Sequence, residues 1–224
     1  MKPQSILDFL TELKTNNNRE WFNQRKEHYD SLRKYFESLS SELIERIAEF
    51  DADIKGVTAK ECVFRIYRDI RFSHDKTPYK THFGVYIAAR GGRKSERGGY
   101  YLHLDPDGCL AATGVWCPTP SILKALRQSV FDNIDELNEI CNTADFKKYN
   151  FSFAEDGKLK TVPAGFPKDF PQADFLKYKH YIVEKNLDAE LLNAPDFTNK
   201  IIEIFRAAYP LNKFLNYTID EING

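Results

Sequence analysis

The chain has 224 residues, of which 42% are hydrophobic and 29% are charged, and its formal net charge is -1. This composition is typical of a globular protein that buries a core, and it excludes a disordered chain and a uniformly basic nucleic-acid coat. The sequence shows no signal peptide and no apolar run near the roughly 20 residues that span a bilayer, so we expect a cytoplasmic protein without a membrane partner.

The first part of the chain predicts two helices. Apolar residues recur at three- and four-residue steps over residues 5–15 and again over 18–50. Asn18 is a suitable N-cap for the second helix, and residues 38–41 are the place where that helix would break. We therefore expect a helical N-terminal region before any sheet.

The middle of the chain predicts an antiparallel sheet. Here the hydrophobic period changes to two, and Pro106 and Gly108 form a turn signal that suits a tight hairpin. Four successive runs read as a meander. The predicted strands cover residues 61–72, 83–90, 99–105 and 109–116.

Helices are predicted again after the sheet. Thr119 and Pro120 form a cap-then-proline start, and residues 197–215 are amphipathic. Three prolines within residues 163–171 predict a surface loop between these helices. With no repeat and no linker, the prediction is a single α+β domain over residues 1–224. Its antiparallel sheet has four or more strands, flanked by N-terminal and C-terminal helices.

The segment RIYRDIRFSHDKTPYK, residues 65–80, is the densest in charged and aromatic side chains. As a helix it would place Arg65, Arg68 and Arg71 on one face, where like charges repel. As a strand it places Arg65, Asp69 and Arg71 on one face and most apolar side chains on the other. The sequence therefore predicts a strand here, with Asp69 within reach of an arginine.

The charge of the chain is unevenly distributed. Residues 60–97 carry ten Lys and Arg against four Asp and Glu, whereas the remainder is net acidic. A basic region of this kind concentrates anions over roughly a Debye length of 8 to 10 Å, and so indicates an acidic ligand or partner. The alternative is a structural ion-pair network, since neighbouring Arg and Asp side chains also form these.

Residues 73–80 are predicted to leave the sheet as a loop, because Pro78 lacks a backbone N–H. Loops at strand ends often carry binding residues, and this one brings two ammonium groups and a phenol near the arginine face. Asp75 is also suited to closing a turn through its own backbone. The predicted ligand-binding residues are Arg65, Asp69, Arg71, Asp75, Lys76, Tyr79 and Lys80.

Neither the histidines nor the cysteines show the spacing of a metal site. His74, His82 and His103 lack a metal-type partner at i+4, and the four cysteines are scattered, as is typical of buried small hydrophobes in a reducing compartment. Gly-rich phosphate loops and the common hydrolase and metalloprotease motifs are also missing. We therefore predict no metal and no cofactor.

Several short motifs resemble those of one family. They are NNREWF (17–22), RDIRFS followed by DK and PYK (68–80), YY (100–101) with Pro106, and Pro163 with GFP (165–167). The chain resembles the conserved hypothetical proteins grouped as domain of unknown function 2461, found in bacteria and fungi. The resemblance covers most of the chain and implies a single α+β module, with no known reaction, cofactor or substrate. Residues 112–114 depart from the glycine-richer family pattern, which implies a narrower or different site if glycine there admits a ligand.

Three classes of function remain open. The first is a site for a small phosphate- or carboxylate-bearing molecule, and an enzyme with Asp75 or His103 as proton shuttle is a variant of it. The second is nucleic-acid binding, with Tyr67 and Tyr101 as the better exposed stacking residues. The third is an interaction module that pairs the basic region with an acidic protein. No oligomeric state is predicted.

Overall fold

The N-terminal part of the molecule is helical, as predicted. The structure is a computed structural model that describes residues 1–223. The side chain of Asn18 accepts a hydrogen bond of 2.9 Å from the backbone N–H of Trp21, which confirms Asn18 as an N-cap. The first three helices are α1 (Pro3–Thr15), α2 (Arg19–Gln24) and α3 (Lys26–Ile47).

The predicted second helix is interrupted at Arg25 rather than within residues 38–41. Arg25 has φ of -113° and ψ of 15°, outside the helical range, and it ends α2 and precedes α3. On the two sides of this break Phe22 and Tyr29 are both buried, with ring centroids 5.0 Å apart. The two buried rings therefore pack together across the break.

The predicted strand over residues 61–72 is wrong. Its beginning belongs to a short helix, α4 (Ala59–Cys62), and the rest lacks regular strand structure. Two isolated bridges are its only β-pairing among the described residues. These join Val63 to Val85 and Tyr67 to Tyr79.

After Phe64 the segment no longer pairs with the sheet, because its backbone bonds instead to residues 78–80 later in the chain. The N–H of Arg68 bonds to the carbonyl of Pro78 at 3.0 Å, so the segment doubles back as an irregular hairpin. The predicted alternation of buried and exposed side chains consequently fails at the C-terminal end of this segment. Ile66 and Phe72 are both apolar residues of the face predicted to lie opposite the Arg65, Asp69 and Arg71 face, but Ile66 is 3% exposed whereas Phe72 is 95% exposed.

Five antiparallel strands form one sheet, which confirms the α+β fold class. The hairpin turn between the second and third strands is also confirmed, since the N–H of Gly108 bonds to the carbonyl of Asp105 at 3.0 Å. In sequence order the strands are β1 (Phe83–Ile87), β2 (Gly99–Leu104), β3 (Cys109–Val115), β4 (Ser152–Phe153) and β5 (Tyr181–Leu187). Their spatial order is β1-β2-β3-β5-β4.

The last two strands are additions to the predicted sheet. β4 has only two residues, too few for a periodic pattern, and β5 follows a long loop that contains the predicted proline-rich stretch. β5 pairs with β3 over seven residue pairs, from Cys109 with Leu187 to Val115 with Tyr181. Its conformation is set by this distant partner, which local sequence does not reveal.

The C-terminal half is helical, as predicted. Thr119 accepts from the N–H of Ile122 at 3.5 Å and so begins the first of these helices. In residues 1–223 no helix combines the length and the apolar composition that a membrane crossing requires. The helices are α5 (Pro120–Asp132), α6 (Ile134–Asn142), α7 (Ala144–Lys148), α8 (Ala173–Leu176), α9 (Ala189–Asn193) and α10 (Phe197–Asn223).

The sheet has one covered face and one open face. Helices α1, α3 and α10 pack over the covered face, where every second strand residue is buried in the core. On β2, for example, Tyr100, Leu102 and Leu104 are fully buried, whereas Tyr101 and His103 point to the other face and are half-buried. The strand period of two therefore separates a core face from a face available for a site.

Gly114 permits the close pairing of β3 with β5. Its φ is +129°, and a Cβ at this position would lie 2.1 Å from the carbonyl oxygen of Tyr181. A side chain here meets both backbone strain and a steric clash with rigid backbone. The glycine serves strand packing, which accounts for it without a ligand.

We expect Gly114→Ala to lower the free energy of unfolding by about 3 kcal/mol or more, because strain and overpacking add at this position. Gly108→Ala is the matched control, since a Cβ on Gly108 meets nothing within 4 Å. Urea unfolding of both variants measures the difference. Equal stability of the two variants would contradict this account of β3.

Candidate functional site

The open face of the sheet forms the floor of a cleft of 430 Å³. This volume lies within the range of roughly 300 to 1,000 Å³ that is usual for small-molecule sites. One cross-strand row of the floor runs from Tyr86 through Tyr101 and Ala112 to Glu184. The remaining lining residues are Phe64, Arg93, Ser95, His103, Leu110, Trp116 and Ile182.

Two charged side chains give the cleft its polarity. The Nη1 atom of Arg93 donates to the carbonyls of Lys60 and Glu61, both at 2.8 Å, which fixes the guanidinium at the wall. Glu184 lies on the floor, and burial raises the pKa of its carboxyl above the usual range. The cleft thus places a cation at its wall and a desolvated carboxyl on its floor.

Asp69 and Arg71 lie together, outside the cleft. Arg71 grips the Asp69 carboxylate in a two-pronged pair, with Nε to Oδ1 at 2.9 Å and Nη2 to Oδ2 at 2.6 Å. This hydrogen bonding to Arg71 lowers the pKa of Asp69 to about 2, in the predicted direction. Because the arginine already has a carboxylate partner and is 75% exposed, the pair satisfies itself.

Asp75 closes a turn, as its residue type suggests. Its Oδ1 accepts from the backbone N–H of Thr77 at 2.9 Å, and its other oxygen pairs with Arg68. The Thr77 N–H first and Arg68 second lower the pKa of Asp75 to about 2, which does not suit a general acid or base near neutral pH. Lys76 donates to the carbonyl of Ile70 at 3.0 Å and so supports the same loop.

Tyr79 belongs to the core, whereas Lys80 lies near the cleft. Tyr79 is 4% exposed and stacks on Phe22, with ring centroids 3.9 Å apart. The Nζ of Lys80 lies 5.3 Å from the ring centroid of Phe64, which lines the cleft. Burial first and the charge of Arg65 second lower the pKa of Lys80, so these two cations are neighbours.

The structure brings together two histidines and an aspartate that are distant in sequence. One ligand-type atom from each of His82, His103 and Asp105 lies within 4.8 Å of the others, and His103 also lines the cleft. The two imidazole centroids are 4.7 Å apart. Burial lowers the pKa of both histidines, and for His82 the pKa falls to about 4, with His103 as the second cause.

Neither the cleft nor this cluster follows from spacing along the chain. The cluster forms because Phe83 pairs with Leu104 in the hairpin, which places His82 beside Asp105. The signal that bears on it is the register of β1 on β2 across the connecting residues 88–98, which a local turn motif does not define. The other cleft residues come from separate strands and loops.

A strained turn forms one wall of the cleft. Cys117 has φ of +49°, in the left-handed region that few non-glycine residues adopt. Its N–H donates to Nδ1 of His180 at 3.0 Å, and the His180 ring stacks on Trp116 with centroids 4.1 Å apart. Burial lowers the pKa of His180, although Asp156 partly opposes this effect. The imidazole, whose Nδ1 accepts this hydrogen bond, thus packs against Trp116 at the wall.

These features define a class: an α+β protein with a half-covered antiparallel sheet and a small-molecule-sized cleft on its open face. The chain belongs to the family described as conserved hypothetical protein (DUF2461), whose model matches residues 5–214. This match confirms the family resemblance of the sequence motifs. No curated protein and no solved structure matches the chain.

We expect Arg68 to matter more for the 68–78 loop than Arg71. Arg68 is 25% exposed and bonds to Asp75 and to the Thr77 carbonyl and hydroxyl, so Arg68→Ala should cost about 1 kcal/mol of stability and speed amide exchange in the loop. Arg71→Ala is the control, and its melting temperature in thermal unfolding should equal that of the wild-type protein. A larger loss for Arg71→Ala would show that Arg71 braces the fold.

His180 should make stability depend on pH. Its folded pKa lies below the unfolded value of about 6.5, so below that pH the unfolded chain gains a proton first and the free energy of unfolding falls. Above pH 6.5 the contribution is fully present. Urea unfolding from pH 8 to 5 should show a shallower fall for His180→Gln than for wild type, and equal slopes would contradict the assignment.

Proposed function

We propose that this protein binds a small organic anion, with a carboxylate or phosphate group on an apolar body, in the cleft on the open sheet face. The observation that carries the proposal is the cleft itself, which combines an apolar and aromatic lining with few charged groups. Small-molecule sites commonly have this composition, because apolar contacts supply affinity and a few polar groups fix orientation. A cytoplasmic protein is part of the proposal, and four free thiols fit a reducing compartment.

Three cations near the cleft support an anionic ligand. In residues 1–223, Arg65, Lys80 and Arg93 form no ion pair with a carboxylate, in contrast to Arg68 and Arg71. Lys80 is half-buried, so its charge is only partly screened by water. An anionic group at the Phe64 end of the cleft would give these cations a partner.

Glu184 suggests what the rest of the ligand carries. Burial raises the pKa of its carboxyl, and no cation forms an ion pair with it in the part of the chain that the structure describes. A ligand hydroxyl or amine over the floor would satisfy this group, whereas an anion there would be repelled. We therefore place the anionic group toward Arg93 and Lys80 and a hydrogen-bond donor toward Glu184.

Anion binding is tested with Trp116 as reporter. Trp116 is 49% exposed at the cleft wall, and Trp21→Phe leaves it as the single tryptophan of the chain. Aromatic and aliphatic carboxylates and phosphates are titrated while its fluorescence and the melting temperature are measured. We expect one class to change the emission and to raise the melting temperature.

Charge variants then locate the site. Lys80→Gln and Arg93→Gln should each weaken that anion about 10- to 100-fold, the loss expected for one charge-assisted hydrogen bond. Arg71→Gln is the matched control, because Arg71 pairs with Asp69 outside the cleft, and it should bind as wild type does. No response from any anion, or an equal loss in Arg71→Gln, would refute the cleft as the site.

The loop at residues 68–78 favours a second candidate function, binding of nucleic acid or of an acidic protein. Phe72 is 95% exposed there, with the Arg71 guanidinium 5.9 Å from its ring centroid, and an exposed ring beside a cation suits stacking on a base or packing against a partner. Phe72→Ala and a salt titration test it. Nucleic-acid affinity that falls steeply with salt and with this substitution would favour the loop over the cleft.

A further inference from the structure

We propose that His82, His103 and Asp105 bind a divalent transition-metal ion beside the cleft. One ligand atom of each side chain lies within 4.8 Å of the other two, and all three side chains are half-buried. Two imidazoles and one carboxylate are the donors that zinc, iron and related divalent ions use in proteins. The proposal goes beyond anion binding and does not depend on it.

The hairpin of β1 and β2 holds the three side chains in place. Gly84 pairs with His103 and Phe83 with Leu104, so His82 and Asp105 come next in the same antiparallel register. Residues two apart on paired strands share a face, and this face is the open one. His103 therefore lies on β2 itself, and His82 and Asp105 lie one residue beyond the ends of the paired strands, which limits how far the three donors can separate.

Two residues of the cluster, His103 and Asp105, each use one polar atom in a hydrogen bond to a residue outside the cluster. Each keeps a second atom that can bind a metal ion. The Tyr101 hydroxyl bonds to Nδ1 of His103 at 2.8 Å, and the N–H of Asp107 donates to Oδ1 of Asp105 at 2.9 Å. The remaining atoms, Nε2 of His103 and Oδ2 of Asp105, are 3.7 Å apart. Metal-binding histidines commonly have their second nitrogen fixed in this way.

Gly84 makes room for this arrangement. A Cβ on Gly84 would lie 2.9 Å from the Tyr101 hydroxyl oxygen and 3.2 Å from its ring. The missing side chain thus lets Tyr101 lie across the strand and reach His103. Tyr101 acts here as a positioning residue, because it touches the imidazole and not the metal.

The geometry suits a three-ligand site with open positions. Two ligands that each lie about 2.1 Å from a tetrahedral ion are about 3.4 Å apart, close to the His103 to Asp105 distance, so small side-chain rotations close the site. His103 also lines the cleft. A molecule in the cleft could therefore supply the remaining ligand of the ion.

Metal binding by the full chain is tested without any organic anion. A negative result then refutes the metal site without bearing on anion binding in the cleft. The protein is stripped with a chelator and titrated with Zn²⁺ in competition with a chromophoric chelator, and Co²⁺ is added as a visible probe of coordination. We expect one Zn²⁺ per chain. His82→Gln and His103→Gln should each weaken binding by about 100-fold or more, and Tyr101→Phe by about tenfold.

Two controls separate this site from incidental binding. His74→Gln removes an exposed loop histidine and Cys117→Ser an exposed thiol, and both should bind Zn²⁺ as wild type does. Asp105→Asn keeps an oxygen acceptor for the Asp107 N–H while removing the charge, so it should fold and still lose affinity. Circular dichroism checks the fold of every variant.

The proposal is overturned if wild type takes up no stoichiometric Zn²⁺ or Co²⁺. It is also overturned if the folded His82→Gln/His103→Gln double variant binds as tightly as wild type. If the histidine variants fail to fold, Tyr101→Phe and Asp105→Asn decide, and unchanged affinity in both refutes the site.

Discussion

The pairing of β3 along both of its edges is the constraint on which the rest of the structure depends. β3 bonds to β2 on one side and to β5 on the other, and Gly114 allows the second contact to be close. With both neighbours in register, the period of two puts every second residue under the helices and the others on the open face. A slip of one residue would exchange core and cleft, so packing of the core also determines the composition of the cleft.

The sequence allows both structural ion pairing and ligand binding in the charged segment of residues 65–80. In the structure the ion pairs lie in the 68–78 loop, and the cleft lies on the open face of the sheet. In the loop, Asp69 and Asp75 neutralise Arg71 and Arg68, which makes these four side chains largely self-sufficient. Lys80, which forms no ion pair with a carboxylate in residues 1–223, is half-buried beside Phe64 at the cleft. Unbalanced charge beside apolar surface, rather than charge density alone, is what distinguishes a candidate binding site from a structural network here.

Local signals predicted much of the fold. The Asn18 cap, the hairpin turn before β3 and the start of α5 at Thr119 each depend on a few neighbouring residues, and all three are confirmed. The first predicted strand was wrong because alternation alone does not say whether a partner strand exists, and that segment pairs with its own continuation. β5 and the histidine cluster were missed because both depend on strand pairing between residues that are distant in sequence, which no local pattern shows. Which residues bind a ligand stays a prediction for the loop and the cleft alike.

The order of the strands has a consequence for how the cleft forms during folding. The part of the cleft at His103 comes from β1 and β2, which are neighbours in sequence joined by residues 88–98, whereas the floor at Glu184 needs β5. Pairing β5 with β3 requires closure of the long connection from Val115 to Tyr181, and contacts of high sequence separation are gained late because their loop entropy is lost first. These two parts of the cleft are therefore expected to mature at different times. A chain that has been synthesised only through β3 already contains the histidine pair, but not yet the carboxyl on the opposite side.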